Sequence, residues 1–162
     1  MKVRNNDKKN EYEAVIKWNE AQLALLWEET KERVKKLYPK FPIDSVIVEH
    51  EINRKVSGGH VKWAEISRRK AGIIYVNAIA QFHTYKAHGR NEYSKTFLHE
   101  LAHLIHYHVV VFMQKAEMKR RDAHNSVFYN IDRKIGNDGH RYHALDVWFD
   151  RKIYKNYEVL NG

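Results

Sequence analysis

Apolar residues between Glu11 and Tyr38 recur mostly at helical spacing: Val15, Trp18, Leu23, Leu25, Leu26, Trp27, Val34 and Leu37. Acidic residues come early in this stretch and Lys35 and Lys36 come late, the order that complements a helix dipole. One long amphipathic helix is expected, unbroken or interrupted near Asn19, with residues 1–10 ahead of it as a flexible arm. Pro39 and Pro42 end the helix, because proline has no N–H to donate and its ring clashes with the preceding turn. The pattern then changes period. Ser45–Ile52 (SVIVEHEI) alternates and is rich in β-branched residues, as a half-buried strand is. Ser57-Gly58-Gly59 signals a turn, and His60–Ile66 (HVKWAEI) alternates again as a second strand. Ile73–Val76 is a short, wholly apolar run that fits a third, more buried strand, so a small three-stranded β-sheet is expected.

Ala78–Asn91 is mixed and closes on the loop-like His88-Gly89-Arg90-Asn91. Beyond it Ser94 is placed as an N-cap. Phe97, Leu98, Leu101, Ala102, Leu104, Ile105 and Val109 cover most of a helix circumference, the signature of a buried central helix. A basic linker carrying Lys115, Lys119, Arg120 and Arg121 leads to a shorter helix from about Asn125 to Ile135, stopped by Gly136-Asn137-Asp138-Gly139. The segment from Tyr142 to Tyr157 fits helix and strand equally. The elements sum to an α+β fold.

Length and composition narrow this further. The 162 residues fit one domain, residues 1–162, and four Trp, ten Tyr and six Phe are too many bulky aromatics for a disordered chain. With no Cys there is no disulfide scaffold, no Cys-ligated zinc finger and no thiol nucleophile, so a metal site must be built from His and carboxylates. No apolar run follows the basic N-terminal residues and none approaches a membrane span, which leads us to expect a cytoplasmic protein with no membrane partner. The 29 Lys and Arg against 20 Asp and Glu leave a formal charge of +9, which suits a polyanion such as DNA or, equally, serves solubility alone. Basic clusters at Arg68-Arg69-Lys70, Lys119-Arg120-Arg121 and Arg151-Lys152 have Trp63, Tyr129, Trp148 and Tyr154 near them in sequence. Phosphate contact with base stacking and a solvated surface over core aromatics both fit that mixture.

Chemistry concentrates inside the central helix, in His99-Glu100-Leu101-Ala102-His103, the HExxH pattern. One helical turn separates the two histidines, so both imidazoles project from one face and can hold one Zn²⁺, with Glu100 beside the water as general base. Two His and a Glu in an apolar helix are costly to bury unless they are satisfied together, and a metal does that. Zinc takes four ligands and a catalytic site keeps one for water, so a third protein ligand is needed. His106 and His108 share the helix, which rarely supplies three ligands to one tetrahedral ion. His83 and His88 precede it in an irregular segment. His124 opens the next amphipathic helix, and His140 and His143 follow the glycine-rich turn, from which either can reach back. A His-rich site also accepts copper or nickel.

The run Ser94–Leu104 (SKTFLHELAHL), preceded by the strand IIYVN, resembles the SprT-like (Spartan-type) zinc metalloprotease domain. In that family a third His opens the following helix in the pattern His-x-x-x-aromatic, and His124-Asn125-Ser126-Val127-Phe128 is similar, with Phe128 at the aromatic position. Tyr142-His143, Asp146–Asp150 and Tyr157 resemble the segment that leads to the family's zinc ribbon. The likeness runs from about Val46 to Tyr157 and is specific around the two His elements. It implies a minimal zincin-like domain in which His99, His103 and His124 hold Zn²⁺ in preference to His140. It also implies Glu100 as the catalytic base, and a protein or peptide substrate bound or crosslinked to DNA. Two departures stand out. The ribbon's cysteines are not in this sequence, so any DNA contact made through them is expected to be missing or replaced, and the glycine that often follows the third His is Asn125 here.

The leading expectation is therefore a zinc metalloprotease. A basic nucleic-acid-binding module with a structural, non-catalytic zinc is the alternative from another class, and a zinc enzyme acting on a small molecule or cell-wall peptide fits the motif as well.

Overall fold

A computed structural model of the protein describes residues 2–52, 59–62, 72–79, 81–82 and 93–137. The chain is a mixed helix-and-sheet fold, in agreement with the α+β class. Helix α1 spans Lys2–Leu37 without a break, 36 residues and so about 54 Å. It contains no Gly or Pro, which lets the helix run back through residues 2–10, where an arm was expected, and onward past Asn19. Pro39 follows two residues after its end.

The buried stripe of α1 is Tyr12, Val15, Trp18, Asn19, Gln22, Leu26, Thr30 and Val34. Apart from the adjacent Trp18 and Asn19, where the line steps sideways, their spacing of three or four holds one face on a helix of 3.6 residues per turn. Leu25 lies 100° round from Leu26 and is 59% exposed, and Leu37 is exposed as well, so neither belongs to the buried face on which the sequence pattern placed it. Polar residues complete the stripe instead. Ser94 Oγ donates to Gln22 Oε1 at 3.2 Å, whereas both amide atoms of Asn19 are buried without a hydrogen-bond partner.

Strands β1 (Ile47–Glu51) and β3 (Ile73–Asn77) pair in parallel, from Ile47 opposite Ile73 to Glu51 opposite Asn77. Strand β2 (Gly59–Lys62) pairs antiparallel with the other side of β3, giving the order β1-β3-β2. The central position of β3 explains its wholly apolar run, since Ile74 and Val76 are fully buried. The expected continuation of the second strand through Trp63 to Ile66 lies outside the described residues.

Helix α2 (Tyr93–Tyr107) runs through the middle of the core, burying Phe97, Leu98, Leu101, Ala102, Leu104 and Ile105. A fully buried side chain of this size contributes about 1.5–3 kcal/mol. Ser94, expected as its N-cap, is instead the second residue of the helix, held by Gln22. The helix then widens into a π-turn over His108–Met113, closed by bonds from Gln114 N to Val109 O (3.1 Å) and Ala116 N to Val110 O (3.0 Å).

Helix α3 (Ser126–Lys134) packs on α2 in the opposite direction: Asn137 reaches the Lys95 carbonyl, while His124 and Phe128 lie against His99 and His103. The far end of α3 is tied to α1, where Arg33 Nη1 donates to the Ile135 carbonyl at 3.1 Å across 102 residues. Gly136 follows with φ +113°, a backbone that side chains disfavour, and the Arg33 guanidinium occupies the space a Cβ would need.

Among the described residues no helix is long and apolar enough to cross a membrane.

Candidate metal centre

His99 and His103 stand one turn apart on α2, half-buried, and the chain returns to them through a short 3₁₀ turn at Arg120–Asp122. That turn is closed by Asp122 N to Lys119 O (2.9 Å) and continues with Asn125 N to Asp122 O (3.2 Å), which sets His124 immediately ahead of α3. Asn125 is the N-cap of α3, its Oδ1 accepting from Phe128 N at 3.0 Å. Asn125→Ala is expected to cost about 1 kcal/mol and to lower the thermal midpoint by about 2–4 °C, measurable by circular dichroism. Asn125→Gly is expected to cost only a few tenths of that.

The three imidazoles converge through the same atom. His103 Nε2 lies 3.2 Å and His124 Nε2 lies 3.3 Å from His99 Nε2, and one ligand atom from each ring falls within 4.8 Å of the others. Nitrogens at about 2.0–2.1 Å from a tetrahedral ion stand about 3.3–3.4 Å apart. The spacing therefore matches a metal site. It matches a hydrogen-bonded cluster poorly, because the single in-plane lone pair of His99 Nε2 cannot accept from both neighbours.

Electrostatics prepare the same atoms. Burial, reinforced by the charges of His99, His124 and His106, pushes His103 down to about 3, and burial with its neighbours lowers His99 too. Both rings are thus neutral, with lone pairs free for a cation. Glu100 is 7% exposed, and burial pushes its carboxyl up to about 7, the range in which a general base works at neutral pH. Among the described residues the site offers three nitrogen donors for a metal ion, with a buried carboxyl one residue along the helix.

The other histidines divide. His106 is buried, with neither ring nitrogen hydrogen-bonded, and His108 packs against Phe41 and Phe112; both lie outside the triad. His83, His88, His140 and His143 lie outside the described residues, as do Arg68–Lys70, Arg151–Lys152, Trp63, Trp148 and Tyr154. Lys119, Arg120 and Arg121 are exposed just ahead of His124, and Tyr129 is 51% exposed beside it.

One polar pair had no signal in the sequence. His50 Nε2 on β1 meets the Tyr93 hydroxyl at 2.9 Å, tying the sheet to the start of α2. Burial lowers His50 to about 4 and raises Tyr93, so the bond joins a neutral imidazole and a protonated phenol. The pairing joins residues 43 positions apart, beyond what any local pattern encodes.

The chain matches no family model, no curated protein and no solved structure.

Proposed function

We propose that the chain is a zinc-dependent metallopeptidase with a minimal zincin-like architecture of SprT type. The observation that carries this reading is the convergence of His103 Nε2 and His124 Nε2 on His99 Nε2, each at tetrahedral spacing from it, with the buried carboxyl of Glu100 next along the helix. His99, His103 and His124 would hold the ion. A bound Zn²⁺ acidifies water and polarises a carbonyl oxygen. Glu100 takes the proton from the attacking water as the new C–O bond forms, and returns it to the leaving amine nitrogen as the C–N bond breaks. With its raised pKa Glu100 serves both steps near neutral pH.

The substrate class we assign is protein or peptide, with DNA-bound or DNA-crosslinked protein as its most specific form. The exposed Lys119, Arg120 and Arg121 just ahead of His124 support an anionic scaffold near the three histidines.

Elemental analysis after dialysis against a weak chelator tests the site, followed by peptide hydrolysis with and without DNA. Wild type is expected to hold about one zinc per chain and His124→Ala to lose it. A metal-free wild type would overturn the proposal. Retained zinc without hydrolysis under any condition would favour the nucleic-acid-binding module instead.

A further inference from the structure

We infer that Phe128 is the positioning residue of the metal site, an aromatic wedge that sets the orientation of all three ligand imidazoles. The inference rests on the metal-site reading above and extends it to a residue that offers no donor atom.

Histidine ligands are ordinarily aimed by hydrogen bonds from their second ring nitrogen to a carboxylate or carbonyl. Here those bonds are missing among the described residues: His99, His103 and His124 make polar contacts only with one another. What all three share is the Phe128 ring. It stacks on His103 at 4.4 Å between centroids and 23° between planes. It meets His99 edge-on at 5.0 Å and 72°, and His124 edge-on at 5.1 Å and 83°. Phe128 is wholly buried, so the wedge has no freedom to swing aside.

Contacts of this kind are directional, because the negative face of one ring prefers the positive edge or an offset face of another. One ring touching three imidazoles in one stacked and two edge-on contacts fixes their tilts relative to each other, which is the quantity a tetrahedral ion reads. Phe128 is in turn anchored by its own backbone, whose N–H is the donor that Asn125 caps. Cap, wedge and third ligand thus form one rigid unit within five consecutive residues, 124–128.

Aiming the ligands and merely filling the core are separable by substitution. Phe97 is the matched control: it too is wholly buried, but its ring contacts are with Trp27 and Tyr93 rather than with the ligands. Zn²⁺ and Co²⁺ affinities of wild type, Phe128→Leu, Phe128→Met and Phe97→Leu are measured by competition with a chelating dye. The Co²⁺ absorption spectrum serves as the readout of ligand geometry, and metal-free stability is measured in parallel by urea unfolding. Both Phe128 variants are expected to bind metal about 10–100-fold more weakly and to shift the Co²⁺ bands, while Phe97→Leu lowers metal-free stability and leaves affinity and spectrum as in wild type. Equal loss of affinity in Phe97→Leu and the Phe128 variants, or wild-type affinity and spectrum in either Phe128 variant, would overturn the positioning role while leaving the metal site standing. A wild type that binds neither ion overturns both.

Discussion

Glu100→Gln is expected to lower peptide hydrolysis by about 10²–10⁴-fold and to leave metal content unchanged. Glutamine keeps the shape of the side chain and cannot take a proton from water, so the loss falls on the chemical step alone. The same substitution carries a second, independent signature in the metal-free protein. Burial raises the Glu100 pKa from its ordinary 4.5 to about 7, so the folded state binds this proton more tightly than the unfolded chain does. Stability from that group is fully present below about pH 4.5 and is lost as pH rises through about 7. The glutamine variant has no such loss. Urea unfolding of the metal-free variant is therefore expected to show a gain of about 1–3 kcal/mol over wild type at pH 8, shrinking towards zero near pH 5. Undiminished hydrolysis would remove Glu100 as the base, and an unchanged pH dependence would mean that its carboxyl is already solvated.

Metal loading has the next largest effect. Zinc at about a thousand times its dissociation constant is expected to stabilise the wild type by about 4 kcal/mol, a rise in thermal midpoint of about 8–16 °C. His103→Ala removes one of three donors and is expected to abolish that rise, as is excess chelator on the wild type. Scanning calorimetry with and without zinc decides it, and identical midpoints would show that the folded chain has no preference for the ion. Acid should weaken the metal-free fold as well. His103 and His50 have folded pKa values of about 3 and 4, below their ordinary 6.5, so the folded state binds fewer protons than the unfolded chain across that window. Stability therefore falls as pH drops from about 6.5 towards 3.

How far the residues alone announced this site depends on whether the information is local. The pairing of His99 with His103 follows from helix geometry, and the helix that begins beside Asn125 follows from the apolar spacing of Val127, Phe128, Ile131 and Ile135. His124 could not be chosen from spacing, because a ligand that arrives across space leaves no period in the chain; only the resemblance singled it out from His140. The structure brings His124 to the pair. Tertiary context also overrode local preference. Asn19, Gln22 and Thr30 are polar and outside the apolar pattern yet complete the buried stripe of α1, while Leu25 belongs to that pattern and faces solvent. Ser94 has the chemistry of a cap, but its hydroxyl finds Gln22 instead. Phe128 registered as an apolar position on a helix face and as the aromatic of the resembling pattern, but its contact with three separated imidazoles has no one-dimensional trace.

The bond between Arg33 and the Ile135 carbonyl has a consequence for the order in which the chain assembles. His99 and His124 are 25 residues apart, whereas Arg33 and Ile135 are 102 apart, so closing the longer loop costs about 1 kcal/mol more in chain entropy. The ligand hairpin is therefore the early, local event and the docking of α1 the late, non-local one. During synthesis at about 5–20 residues per second, α1 emerges first and waits about 5–20 s for its acceptor to be made. For the first part of that interval, until α2 is made and meets α1 through Phe97 on Trp27 and Ser94 on Gln22, the stripe of Tyr12, Val15, Trp18, Leu26 and Val34 lacks its main cover, which makes the nascent long helix, rather than the metal site, the segment exposed to misassembly.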